Sequence, residues 1–99
     1  MKKVKFCKNL NEVRTQIDQL DKDIIRMIAY RSQYVKQAAK IKQDKISIKA
    51  PDRVEKVIEN ARSLAVEYLL NPAIIEKIYR TMIDCFIDYE IKEYEKSHK

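Results

Sequence analysis

Arg31 and Lys42 stand eleven residues apart in the stretch "IAYRSQYVKQAAKIK", residues 28–42, and both fall on its apolar side. Leu10, Val13, Ile17, Leu20, Ile24, Ile28, Val35 and Ala38 step by threes, fours and a seven, which is helical spacing. On a wheel of 100° per residue, Arg31 and Lys42 lie near the middle of that stripe, with Arg14 and Asp21 at its margin. Further along, Glu90 continues the row Ile75, Tyr79, Met82, Phe86. A charge buried without a partner costs several kcal/mol, a sum comparable to the stability of a whole domain. These groups must therefore meet something. One solution is that they reach the rim, or pair with an acid, as Arg31 could with Glu90. The other is that two or three cations from separate helices converge on a small anion carrying more than one carboxylate or phosphate. Arginine suits a carboxylate because its planar fork makes two parallel hydrogen bonds.

Other chemistries lack their residues. His98 is the only histidine and lies one position from the end of the sequence, so neither a metal centre nor a histidine-activated nucleophile is expected. Cys7 and Cys85 form no CxxC pattern and read as free thiols. No glycine-rich phosphate loop exists, because the chain has no glycine. A reaction here needs no cofactor; it would rest on positioning and electrostatic stabilisation.

The elements that must hold these charges read as helices. Ninety-nine residues fit one small domain, 1–99, without repeats. The absence of glycine disfavours tight β-turns, and the wealth of Lys, Glu, Ile, Ala and Leu favours an all-α fold of three helices. The first starts near Leu10, capped by Asn9 or Asn11, and nothing breaks it before about residue 42. Such a helix is roughly 50 Å long, whereas a compact domain of this size has a radius of gyration of about 13 Å. Two shorter helices cannot cover its stripe. The spacing predicts an obligate oligomer in which long helices from two chains pack together, with a kinked helix as the alternative.

Gln43 to Pro51 reads as an extended break because Ile46 and Ile48 alternate and Pro51 disfavours helix at Ala50. The second helix starts near Pro51 and turns Val54, Val57, Ile58, Ala61, Leu64, Ala65 and Tyr68 inward. Asn71 caps the third and Pro72 opens it; this helix runs to about Glu95, with Ile75, Ile78, Tyr79, Met82, Phe86 and Tyr89 or Glu90 inward.

The formal net charge is +6, with much of the excess at the ends, in Lys2, Lys3, Lys5, Lys8, Lys96 and Lys99. Terminal charges of this kind read as solvated tails. A nucleic-acid-binding protein would place its cations on one exposed face, and an adaptor would not bury Arg31 and Lys42, so both readings are weaker. The start, "MKKVKFCKNLNEVR", lacks the apolar core of a signal peptide, and no run approaches the ~18 apolar residues of a membrane span. A cytoplasmic protein with no membrane and no nucleic-acid partner is expected.

Three segments carry a resemblance. "VRTQIDQLDKDIIRMIAYRSQYVKQAAKIK", "IKAPDRVEKVIENAR" and "IIEKIYRTMIDCFIDYEIK" resemble the all-helical chorismate mutase family, the AroQ class, over residues 10–95. The pattern is R-x2-ID-x2-D, an inward arginine, a lysine eleven residues later and an arginine opening the second helix. Within the family, "YVKQAAKIK" and "APDRV" resemble the isochorismate pyruvate lyases of salicylate and siderophore synthesis.

The resemblance implies an intertwined homodimer with two shared sites and a small dicarboxylate substrate. Arg31 and Arg14 of the partner subunit would bind the carboxylates. Lys42 would reach the ether oxygen and a carboxylate from the mobile end of the first helix, and Arg53 would support the anion. Val35, Val57, Phe86 and Ile87 would form apolar walls. Either reaction is pericyclic: chorismate to prephenate, or isochorismate to salicylate and pyruvate. Negative charge grows on the ether oxygen in both, so a fixed Lys42 would favour the transition state.

Two departures qualify the match. Val54 and Ala50 stand where the mutases often carry acids, which favours the lyase, with a dedicated mutase of aromatic amino acid synthesis as the alternative. Glu90 stands where bacterial members usually carry a glutamine that donates to the ether oxygen. An ionised glutamate only accepts hydrogen bonds, so Glu90 is expected to need its proton for full activity.

Overall fold

A computed structural model describes residues 4–99, which leaves Lys2 and Lys3 of the basic N-terminal run outside the described residues. The described chain is all-helical, without strands, in the order α1 (Leu10–Ile41), α2 (Ile46–Lys49), α3 (Pro51–Glu67) and α4 (Pro72–Ser97). It divides into two compact units, residues 1–32 and 33–99, so that α1 contributes to both.

Side chains do the work at the helix starts. Asn9 is the cap of α1: its Oδ1 accepts the Glu12 N–H at 3.0 Å, while Glu12 Oε2 accepts the Lys8 N–H at 2.8 Å. This reciprocal pair satisfies donors that the first turn leaves open, and places an acid near the positive end of the helix dipole. At the other end the Lys42 N–H still reaches the Ala38 carbonyl at 3.0 Å, so Lys42 leaves the helix directly from its last turn.

The expected extended segment contains a single helical turn, α2. Asp44 accepts both the Ser47 N–H at 2.8 Å and the Ser47 hydroxyl at 2.9 Å. Those bonds, the backbone one foremost, hold the Asp44 carboxyl below its ordinary range. A strand would put Ile46 and Ile48 on one face. Here Ile46 is 85% exposed and Ile48 is buried, the separation that a helix gives two positions so spaced.

Ala50, at φ 23°, turns the chain sharply into Pro51, the first residue of α3. α3 buries Ile58, Ala61 and Ala65, a three–four spacing along one narrow seam against α4. The helix ends with Leu69 in the left-handed region, at φ 60°. The Leu70 N–H reaches back to the Ala65 carbonyl at 2.8 Å and the Leu69 N–H to Val66 at 3.1 Å. This is a Schellman-type ending made without glycine. Asn71 caps α4 as expected, its Oδ1 accepting the Ala73 N–H at 2.9 Å.

Three residues expected inward lie outside that seam: Leu64, Tyr68 and Ile78 are each more than half exposed. The small side chains of Ala61 and Ala65 narrow the contact to one row, and Ile83, not singled out by the spacing, is buried instead. The long apolar residues of the first unit are also uncovered. Leu10, Val13, Ile17, Leu20 and Ile24 are 39–59% exposed.

Charges cross-link α3 to α4. Arg80 holds both Glu55 oxygens, at 3.0 and 3.1 Å, and donates through Nε to Glu76 at 2.8 Å; Arg62 adds a bond to Glu76 at 2.7 Å. The Arg80 hydrogen bonds lead in holding both carboxyls below the ordinary glutamate value of 4.5, and the two acids raise Arg80 in turn. Carboxyls depressed in the folded state stabilise it above 4.5, and that contribution is lost as pH falls through the depressed values. The urea midpoint should therefore fall between about pH 7 and about pH 3, and Arg80→Met should lower it at the higher pH while shrinking the difference. An equal pH difference in both proteins would show that this network adds nothing to stability.

Candidate active site

Glu90 is the one buried charged or polar residue among the described residues, at 8% exposure. It stands on the inner face of α4, one turn after Phe86. Its Oε2 accepts a hydrogen bond from Lys42 Nζ at 2.7 Å, and the two side chains are only 10% and 28% exposed. Two helices far apart in sequence thus deliver opposite charges to one shielded place: Lys42 from the last turn of α1, Glu90 from α4. Of the inward charges, Lys42 and Glu90 meet each other here, where the sequence had offered Arg31 as the partner of Glu90.

The remaining residues of the second unit take these places. Val35 is half-buried on the last part of α1. Val54 and Val57 are half-buried on α3, beside the buried Ile58. Phe86 and Ile87 are half-buried on α4, and the Phe86 ring meets Tyr89 edge-on at 5.7 Å. Arg53, in the first turn of α3, is exposed. Arg14 and Arg31 belong to the first unit, Arg14 exposed and Arg31 half-buried.

Three contacts escaped the sequence reading. The Tyr94 hydroxyl donates to the Gln43 carbonyl at 3.1 Å, Lys45 Nζ meets Glu95 Oε1 at 2.8 Å, and Arg80 braces α3 against α4. Tyr94 lies four residues beyond Glu90, one turn on along the same face, and that spacing was the available signal.

An ammonium in a shielded position is a strong electrostatic partner for any anionic atom brought to it, because little water competes. Its three donors can serve Glu90 and a ligand oxygen in turn. Among the described residues no three His, Cys, Asp or Glu side chains gather as a metal centre would need, and no helix is long and apolar enough to cross a membrane. Cys85 is exposed, and His98 packs on Tyr94 at the end of α4.

The described chain is thus an all-helical protein with a shielded ion pair held between helices. Residues 13–91 match the family model described as chorismate mutase type II, and the chain belongs to that family. It is 30% identical over 97 residues to a protein of Pseudomonas aeruginosa named isochorismate pyruvate lyase, a match covering 98% of this chain and 96% of that one. It is 33% identical over 80 residues to the chorismate mutase of Methanocaldococcus jannaschii, covering 80% of this chain and 81% of that one.

Proposed function

We propose that this chain is an isochorismate pyruvate lyase with side chorismate mutase activity, working as a cytoplasmic homodimer. The Lys42–Glu90 pair carries the reading, because a shielded cation of this kind is what an ether oxygen gaining negative charge would call for. In the lyase reaction the bond between ring and ether oxygen breaks while a hydrogen moves from the ring to the enolpyruvyl methylene, giving salicylate and pyruvate. Charge grows on the ether oxygen as that bond lengthens. Lys42 Nζ, turned from Glu90 to that oxygen, stabilises the transition state more than the substrate.

Glu90 takes part through its proton. Protonated, it donates to the ether oxygen and releases Lys42; ionised, it only accepts and keeps Lys42 to itself. Arg31 and Arg14 of the partner subunit hold the two carboxylates, Arg53 supports the anion, and Val35, Val57, Phe86 and Ile87 enclose the ring.

The partner chain answers a physical need. The first unit is a helix with a short segment before it, and a helix of that kind is marginal alone in water. Its apolar row is uncovered, and a groove of about 410 Å³ lies along it between Val13, Ile17 and Leu20 and the Val4–Phe6 segment. A second copy covers this face and turns residues 1–99 into one domain of a shared bundle.

The lyase is favoured by the apolar Val54 and Ala50 and by the match along nearly the whole of the Pseudomonas protein. The dedicated mutase is the second reading, and the Methanocaldococcus relative supports it.

Incubation with isochorismate should produce salicylate fluorescence, and Lys42→Ala should lower kcat by about 10²–10³-fold. Prephenate from chorismate with no salicylate between about pH 5 and 8 would establish the mutase instead. Glu90→Gln should raise kcat, because the amide can donate to the ether oxygen and leaves Lys42 free; an unaltered kcat would remove Glu90 from the reaction. Shared sites predict that Arg14→Ala and Arg31→Ala chains, each nearly inactive, regain about a quarter of wild-type activity when unfolded and refolded together. Half of such dimers are mixed, and one of their two sites has both arginines. No recovery would place each site within a single chain.

A further inference from the structure

The Lys42 N–H ties its main chain back to the Ala38 carbonyl at 3.0 Å, but nothing of α1 holds the chain beyond it. Lys42 sits just past the last residue of α1, in a segment of irregular backbone that runs to α2. Gln43, Asp44 and Lys45 are all exposed. A lysine side chain has four rotatable bonds and loses much rotamer entropy when fixed. The bond to Glu90 fixes its tip, but in the proposed reaction Nζ must leave that oxygen for the substrate. Something else has to keep the main chain in place while the tip swings.

The last turns of α4 supply it. Glu90 and Tyr94 occupy one row of the helix, and Glu95 is next to it. Glu90 takes the Lys42 tip at 2.7 Å, Tyr94 takes the Gln43 carbonyl at 3.1 Å, and Glu95 takes Lys45 at 2.8 Å. The Tyr94 bond differs from the other two because it holds main chain, at the residue immediately after Lys42. The half-buried Tyr94 ring stacks on His98 with centroids 4.0 Å apart and planes within 14°. Beyond Lys45 the chain is pinned again by Ile48, which is 4% exposed.

We infer that Tyr94 is a positioning residue for Lys42: its hydroxyl anchors the Gln43 carbonyl, with the Lys45–Glu95 pair as a second stay, so that Nζ passes between Glu90 and the substrate by side-chain rotation alone. The inference rests on the reading of Lys42 as the cation that meets the substrate.

Tyr94→Phe tests it, since phenylalanine keeps the ring on His98 and removes only the hydroxyl. Two measurements are read side by side: steady-state kinetics, and the rate at which an acetylating reagent modifies Lys42, followed by mass spectrometry against the exposed Lys77. One hydrogen bond corresponds to about 3- to 10-fold. Lys42 should be modified faster by that factor with Lys77 unchanged, and kcat should fall by a similar factor while KM, set by the arginines, changes less. Lys45→Glu and Glu95→Lys should each show a weaker form of the same effect, and the double reversal should restore the wild-type values. Unchanged Lys42 labelling in Tyr94→Phe overturns the inference, and so does faster labelling with an unaltered kcat. If the wild-type protein turns over neither isochorismate nor chorismate, the proposed reaction fails, and the labelling alone decides whether the anchor stands.

Discussion

A carboxylate and an ammonium are held at 2.7 Å between α1 and α4, largely out of water, and the second unit is arranged to make this tolerable. Neither charge is stable there without the other. Each loses hydration on burial, and the attraction between them returns that loss only when the geometry is good. α1 must therefore end where Lys42 can turn in, α4 must present Glu90 on its inner face, and the intervening chain must return through α2, α3 and the turns at Ala50 and Leu69. Two apolar residues of similar size would fill the same space at no such cost. An ion pair in this position is weak evidence of a stabilising device and better evidence of a chemical one.

The chain builds these endings without glycine, and it shows where that is costly. Leu69 takes the left-handed conformation that closes α3, at a steric cost of about 1–2 kcal/mol for a residue with a side chain. The three backbone bonds gathered around Tyr68, Leu69 and Leu70 offset it. Ala50 carries the other positive φ, between the buried Ile48 and Pro51. Starts are handled differently, by Asn9, Asp44 and Asn71, whose short polar side chains accept backbone donors that the first turns leave open. Ala50 ends α2 and opens α3 at once, so among the described residues the positive-φ backbone gathers at the two joints flanking α3.

Periodicity made the long helices legible: Leu10–Ile41 starts at Leu10 as the spacing predicts, and Pro51 and Asn71–Pro72 open α3 and α4 as their side chains dictate. The inward direction of Lys42 and Glu90 was legible for the same reason, because a helical wheel sees a charge interrupting an apolar row. What failed was short or lateral. A four-residue helix has too few positions to show a period, and the alternation of Ile46 and Ile48 mimicked a strand. Leu64, Tyr68 and Ile78 satisfy the wheel but flank a seam that two alanines keep narrow. The Arg80 and Tyr94 contacts join residues 25 and 51 positions apart, which no local pattern reports. Arg31 stood out on the same wheel as Lys42, near the middle of the apolar stripe, whereas Arg14 lay at its margin and gained a role only through the family resemblance.

The charged pair accounts for what the two proposed reactions share and leaves open what separates them. In both, the bond that breaks leaves charge on the same ether oxygen, so a cation delivered there accelerates either one. Choice of product must then lie with whatever fixes the ring and its side chain in one reactive conformation, since orientation can be worth as much as charge stabilisation. At the start of α3, Ala50 and Val54 offer no carboxylate to grip a ring hydroxyl, while Val57 on α3 and Phe86 and Ile87 on α4 offer surface without direction. In the proposed reactions, apolar walls of that kind would restrain the substrate by shape. Lys42 and Glu90 would then govern how fast the ether bond breaks, and the apolar residues at the head of α3 would govern which new bond is within reach when it does.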